Sequence, residues 1–517
     1  MSVFDLKGVQ DYFARSTWSG HIIALTAGIL CTLSFSPFDY WPISFLSVFL
    51  LLLVTQSATI VAGALRYYLF GVGLYISGVS WFFVSIHDHG GASIPLATLL
   101  VVLFALAVAL LWAIQGYAYL RFFRTLRAGL LLGFPAVWLL REWTMEWLLS
   151  GFPWLLIGYT QMDTFLVGYA PVLGVYGLGG LMLLSVTSLF VLFAGTSTAG
   201  DKQNLWGARA IILMLVVPVV WVTGALLDRY EFTSGDRQVT VSAVQGNIDQ
   251  RSKWTRRMVI PILETYTNLT STEWGREIIV WPEAAITLFR QNAFGQIDNL
   301  DQLARRSGSS LVLGIPDRDE AGGFQNSAIS LGQGEGRYVK RHLVPFGEYV
   351  PLENQLRGVI AFLDLPMSHN RPGPERQSAL MAGDLKLSLS ICYEVVFGEL
   401  VRSTVVDPDL LITISNDTWF GDSIGPWQHL QMARMRAIEN GRYMVRATNN
   451  GVTAIIDEKG RLLGTLPQFQ PGVLRGEIKV LSGATPYAQM GNTPILGAVL
   501  LVILCLGWVS RRSRDEH

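Results

Sequence analysis

Cys392 is the side chain in this sequence best placed to act as a nucleophile. It sits within Leu385–Arg402, LKLSLSICYEVVFGELVR. Leu385, Leu387, Leu389 and Ile391 alternate with Lys386, Ser388, Ser390 and Cys392, the period of a half-buried strand. After Cys392-Tyr393-Glu394 the pattern changes, and Val395, Val396, Phe397, Leu400 and Val401 read as a short helix. A cysteine at such a turn stands exposed on a rigid support, beside the positive end of a helix that favours its thiolate. A lone cysteine is more often a buried structural residue. Two further stretches weigh against that here.

The first is Ile278–Glu283, IIVWPE. Its apolar run ends at Pro282, which cannot extend a central ladder. Glu283 therefore emerges at a strand end, the edge where active sites of α/β sheets gather. A glutamate drawn to a helix N-terminus would give the same local pattern. The second is Tyr338–Glu348, YVKRHLVPFGE. Lys340 in isolation reads as a solvated strand lysine. His342 offers a base, but no second His or Asp motif supports it, so a structural role is expected. His87-Asp88-His89 matches no strong metal-ligand spacing, and loop polarity accounts for it. No metal site is expected.

The elements that must position these residues lie in a polar region, 236–482. Strand-like runs recur at Gln238–Val244, Ile278–Trp281, Ser310–Gly314, Ala328–Leu331, Leu410–Ser415, Tyr443–Thr448 and Val452–Ile456. Helical patterns fall between several of them, at Trp254–Trp274, Ile297–Ser307 and Pro426–Asn440. This alternation predicts a layered α/β domain. No internal repeat, low-complexity tract or GxGxxG loop is present.

The rest of the chain is apolar. Of 517 residues, 51% are hydrophobic and only 15% charged, values that point to a membrane protein. The zero net charge suggests no nucleic acid or other polyanionic partner. Cys31 and Cys505 lie in apolar runs, so no disulfide framework is expected. Apolar segments near 18–34, 40–56, 59–85, 93–120, 128–146, 166–195 and 207–227 each approach or exceed the roughly 20 residues that cross a bilayer core. Lys7 and Arg15 precede the first. Arg66 lies near the start of the third. Arg121, Arg124 and Arg127 separate the fourth and fifth, and Lys202 and Arg209 the sixth and seventh. Alternate loops are basic, which puts the N-terminus in the cytoplasm. An eighth run, Pro494–Val509, returns the chain inside, where Arg511, Arg512 and Arg514 anchor it. The expected domains are a seven-helix bundle at 1–230, an extracytoplasmic catalytic domain at 236–482, an eighth helix at 491–510 and a basic tail at 511–517.

Glu283 in WPE, Lys340 before HLVPFGE and Cys392 in CYE, each at a strand end, resemble the nitrilase or carbon–nitrogen hydrolase superfamily. NDTWF (Asn416–Phe420) and RAIEN (Arg436–Asn440) look like its later motifs. The whole chain is similar to a narrower group, the apolipoprotein N-acyltransferase family. GFPWL (Gly151–Leu155), QGNI with Trp254 beyond it, HLVPFGEYVPLE (His342–Glu353) and SNDTWFG carry that resemblance. It implies an eight-span helical bundle with a nitrilase-like αββα sandwich inserted before the last span, in the bacterial inner membrane. It also implies ping-pong acyl transfer by a Glu-Lys-Cys triad without cofactor. A phospholipid, phosphatidylethanolamine first among candidates, would give its acyl chain to Cys392. The amine of a diacylglyceryl-cysteine apolipoprotein would then accept it. Glu283 is the implied base and Lys340 the implied oxyanion partner. Glu348 would orient the set, with Tyr393 and Glu394 lining the pocket. Gly151 and Trp154 would shape the lipid entrance from the membrane side.

Gln355–Met367, QLRGVIAFLDLPM, is too apolar for an ordinary solvated loop. It reads as an amphipathic lid with Arg357 poised to meet a lipid phosphate. Two rivals stand beside this reading. One is a membrane-anchored amidase using water as acceptor. The other is a non-enzymatic transporter or sensor with a degenerate domain, which the intact triad and the lack of the pattern of buried charges that transport commonly needs argue against.

Overall fold

The structure is a computed structural model that describes residues 6–15, 17–126, 128–194, 208–350 and 370–515. The expected lid, with Arg357, lies outside the described residues. The chain divides into two units. One comprises Met1–Ser80, Thr98–Glu231 and Met490–His517, the other Trp81–Ala97 and Phe232–Gln489.

The first unit is helical. Among the described residues four helices are long and apolar enough to cross a membrane: Ile60–Gly78, Ile94–Phe123, Phe165–Phe193 and Thr493–Arg512. The bent pair Gly8–Ala14 and Trp18–Ser34 makes five if taken as one span. Trp41–Thr55 is apolar but shorter, at 15 residues, and Ala208–Asp228 is an apolar helix of 21 residues. The segment expected at 128–146 forms the helix Phe134–Trp147, of 14 residues. Helices therefore stand at all eight expected places, and among the described residues four or five reach the length and apolarity of a span.

The helical unit does hold buried charge. Arg66 is fully buried inside its helix and donates to the Val54 and Phe13 carbonyls. Arg141 and Glu142 are buried side by side, 3.3 Å apart. Glu142 accepts from Trp138 Nε1 and from the Ile157 main-chain N–H, both at 2.9 Å. The Arg141 guanidinium lies 4.0 Å from the centre of the Trp112 ring. Each charge is tolerated because fixed donors, acceptors and an aromatic face replace water.

The second unit is built on two sheets. Its strands are β1 (Gln238–Gln245), β2 (Ile278–Val280), β3 (Ser310–Arg318), β4 (Phe324–Gly332), β5 (Gly334–Glu335), β6 (Arg337–Val339), β7 (Leu380–Ala382), β8 (Leu385–Ile391), β9 (Leu410–Ser415), β10 (Met444–Thr448), β11 (Ala454–Ile456), β12 (Leu462–Thr465) and β13 (Gly472–Lys479). One sheet runs β13-β1-β2-β3-β4-β6, the other β12-β11-β10-β9-β8-β7-β5. In each, three central strands are parallel: β1, β2 and β3 in the first, β8, β9 and β10 in the second.

Strand alternation explains the layers. Val239, Val241 and Ala243 of β1 meet Leu387 and Leu389 of β8 and Ile412 of β9 in one core between the sheets. The opposite face of the first sheet, with Ile279 and Leu311, packs on Ile262 and Tyr266 of helix Val259–Thr270 and Leu300 of helix Phe294–Ser307. Leu411 and Met444 of the second sheet pack on Leu430, Ala433 and Ala437 of helix Gly425–Asn440. The result is an αββα sandwich. Trp81–Ala97, inside the stretch expected to be bundle, belongs to this unit. Trp81 Nε1 donates to Gln428 Oε1 at 3.2 Å, its ring meets Phe420 edge-on at 4.6 Å, and Ser85 Oγ donates to the Trp419 carbonyl at 2.7 Å.

Candidate active site

The parallel strands of both sheets end on the same chemistry. β2 runs into Trp281-Pro282-Glu283, and β8 into Cys392. Lys340 immediately follows β6. Crevices at the carboxyl ends of parallel strands are where α/β folds bind ligands. Close packing of the Glu283 turn against β3 requires glycine at 314, since a Cβ there would meet the Glu283 Cα at 2.7 Å.

Glu283 is buried. Its Oε1 accepts from Asn326 Nδ2 at 2.6 Å and its Oε2 from the Asn416 main-chain N–H at 2.8 Å. Lys340, also buried, places Nζ 3.9 Å from Glu283 Oε1 and 2.8 Å from both oxygens of Glu348. Glu348 is itself held by the Val344 N–H at 2.8 Å. Burial raises the Glu283 carboxyl above the usual carboxylate range, against the pull of the Lys340 ammonium. Burial alone would lower Lys340, but the charges of Glu348 and Glu283 outweigh it and keep the ammonium firmly protonated.

Cys392 follows β8 with φ +53°, in the left-handed region that only a well-braced non-glycine residue occupies. The following residues, Cys392–Val396, form a tight 3₁₀ turn before helix Gly398–Thr404. Burial and the Glu283 charge push the thiol up, and Lys340 pulls it back only in part. The expectation of a helix-favoured thiolate is corrected: desolvation and a neighbouring carboxylate outweigh one short turn.

The supporting residues fall in different places. Glu394 is fully buried behind the cysteine. Its carboxylate accepts from Ile391 N at 2.8 Å, Arg341 N at 2.6 Å, His342 N at 3.1 Å and Tyr338 Oη at 2.9 Å. It braces the loops instead of lining a pocket. The Tyr393 ring meets Phe397 edge-on at 5.2 Å, with His342 packed against Phe397 at 3.9 Å. Trp254 is 37% exposed at the end of the one-turn helix Gln250–Lys253. Gly151, with φ +83°, and Trp154 lie buried in the helical unit, where Trp154 stacks on Phe152 at 5.6 Å.

Besides Asn416, which opens the NDTWF motif, three contributors were not singled out from sequence. Asn326 and the Asn416 N–H hold the carboxylate. Lys253 lies beneath Glu283, its Nζ donating to the Glu283 carbonyl at 3.2 Å. His429 is fully buried, with Nε2 3.2 Å from the Cys392 carbonyl and Nδ1 3.0 Å from Asp417. No local sequence signal marks Lys253 or His429, since each acts through contacts remote in the chain. No group of three or more potential metal ligands gathers among the described residues.

Residues 240–487 match the carbon-nitrogen hydrolase family model, and residues 27–188 match that of the apolipoprotein N-acyltransferase N-terminal domain. A Pseudomonas syringae pv. tomato protein named apolipoprotein N-acyltransferase is 41% identical over 97% of this chain and 99% of its own length. The chain belongs to the apolipoprotein N-acyltransferase family. Members from Azotobacter vinelandii, 42% identical over 98% of both chains, and Vibrio cholerae, 39% identical over 95% of this chain and 98% of that one, carry the same name. Membership makes the chain an acyltransferase, and both family models match within it: the hydrolase-type sandwich and the segment peculiar to this family.

Proposed function

We propose that this enzyme moves a fatty acyl chain from a phospholipid, through a Cys392 thioester, to the N-terminal amine of a diacylglyceryl-cysteine apolipoprotein. The observation that carries the reading is the buried set of Glu283, Lys340 and Glu348 around a braced, left-handed Cys392. Family membership supports the lipid donor and lipoprotein acceptor, and phosphatidylethanolamine is the donor we propose.

Glu283 takes the Cys392 proton as the sulfur attacks the ester carbonyl. The developing oxyanion is met by the Lys340 ammonium. Collapse breaks the ester C–O bond, and the lysophospholipid oxygen leaves with the proton held on Glu283. The acceptor amine then attacks the thioester, gives its proton to Glu283, and forms the amide as the thiol is released. The protein needs no cofactor in this scheme. We place residues 236–482 outside the inner membrane and both termini in the cytoplasm, as the basic loops support. Labelling introduced cysteines from each side tests this; finding the domain and His517 on the same side overturns it.

The reaction is tested by incubating enzyme with phospholipid alone and weighing the Cys392 peptide. A mass increase of one acyl chain is expected, discharged by a diacylglyceryl peptide amine. Rapid discharge by water alone would favour the amidase reading instead.

A further inference from the structure

The scheme above uses one lysine, yet the site contains two. Lys253 ends the one-turn helix Gln250–Lys253, capped where Asp249 accepts from the Ser252 N–H at 3.1 Å. Gln250 of the same turn accepts from Asn416 Nδ2 at 2.7 Å, which latches it to the loop whose N–H holds Glu283. Lys253 is 0% exposed. Burying an ammonium is costly unless a charge opposes it, and its Nζ meets a carbonyl oxygen of Glu283 at 3.2 Å.

Charge accounting around Glu283 shows what the second cation does. Lys340 sits 2.8 Å from Glu348 and 3.9 Å from Glu283, so its charge is engaged chiefly by Glu348. The groups facing Glu283 are Lys340, Glu348, Asn326, Lys253 and the Cys392 thiol, with the Asn416 N–H. Two carboxylates are therefore matched by two ammonium groups only if Lys253 is counted. The next residue, Ala284, has φ +47°, so the Glu283 peptide that Lys253 holds leads into strained backbone.

We propose that Lys253 is a positioning residue for Glu283, fixing its peptide through the carbonyl and supplying the second buried positive charge opposite the Glu283–Glu348 pair. This rests on Glu283 being the base in the proposed reaction. With Lys253 charged, the set of Glu283, Glu348, Lys340, Lys253 and Cys392 sums to zero charge both before and after the proton passes from Cys392 Sγ to Glu283. Without it that set carries one net negative charge throughout. Burial pulls the Lys253 ammonium down to about 8, with the Glu283 charge opposing, so it remains charged at neutral pH.

The test uses full-length enzyme in detergent with Lys253→Gln, which keeps a donor and removes the charge, and Lys253→Met, which removes both. Two rates are followed across pH: iodoacetamide alkylation read as the mass of the Cys392 peptide, and single-turnover acylation by a fluorescent phospholipid. Rates are normalised to the Cys392 that alkylates on the alkaline plateau. Losing the cation raises the Glu283 carboxyl, so the acid limb of both profiles should move up by about one pH unit. That is roughly a tenfold loss on the limb with little on the plateau. An unmoved limb, or an equal loss at every pH, overturns the proposal. Failure of the unmodified enzyme to acylate would instead sink the acyl-transfer reading, while the alkylation profile still tests Lys253.

Discussion

Glu394, two residues beyond the nucleophile, accepts a 2.6 Å hydrogen bond from the main-chain N–H of Arg341, one residue beyond Lys340. One buried carboxylate thus ties the cysteine turn to the lysine loop, across 53 residues of sequence. Removing it strands main-chain donors of both at once.

Glu394→Ala should therefore damage fold and chemistry together. Each buried main-chain donor left unsatisfied costs roughly 1–3 kcal/mol. Thermal melting should drop clearly, with acylation falling alongside. Unchanged melting would mean that the bonds at Ile391, Arg341 and His342 contribute little.

Cys392→Ala should behave in the opposite way. The sulfur is lost but the side chain it replaces is small, so melting should stay close to that of the unmodified enzyme. Acyl-enzyme formation should vanish. A variant that still captures an acyl chain would place the nucleophile elsewhere.

Lys340→Met and Glu283→Gln should fail for different reasons. Losing an oxyanion donor costs on the order of 100-fold or more in rate. In Lys340→Met the loss also leaves Glu283 and Glu348 with one cation fewer. Glu283→Gln should fail at the first proton transfer, so no acyl-enzyme should build up in a single turnover. Normal acylation by Glu283→Gln would remove it as the first base.

The pH profile follows from the same burial. The Glu283 carboxyl is raised, chiefly by desolvation, and must be ionised to accept a proton. Acylation should therefore fail as pH drops through a value above the roughly 4.3 of a free glutamate. The Cys392 thiol is also raised. Uncatalysed alkylation in Glu283→Gln should then grow only on the alkaline side of an ordinary cysteine. Rapid alkylation of that variant at neutral pH would show a thiolate at rest.

Much of this site was legible because it is local. Alternation from Leu385 to Ile391 is β8 residue for residue, and the break at Cys392 is the turn. Pro282 ended a strand and left Glu283 at its edge. Lys340 was legible only through the family resemblance, since nothing local separates it from a surface lysine. Lys253 and His429 were not legible at all, because their meaning lies in contacts across 30 and 37 residues. In helix Gly425–Asn440, Gln428, His429, Gln431, Arg436 and Glu439 are all buried, which erases the polar face that periodicity would seek. Strand β13 was missed for a related reason. It lies at a sheet edge with Arg475, Glu477 and Lys479 along it, and no apolar alternation marks it. The expected spans were legible as helices, but among the described residues four or five reach a span's length and apolarity, and Trp41–Thr55 falls short at 15 residues.

The grouping of Trp81–Ala97 with the sandwich bears on anyone wishing to handle the catalytic part alone. Residues 232–489 look like a self-contained insert that could be excised and expressed without lipid. Such a fragment would leave behind the strip that roofs Phe420, satisfies Gln428 and grips the Trp419 carbonyl. Its bared aromatic surface lies over the turn that carries Asp417, and through His429 that turn reaches the Cys392 carbonyl. A soluble version would need that missing strip returned, grafted as a tether or added as a peptide in trans.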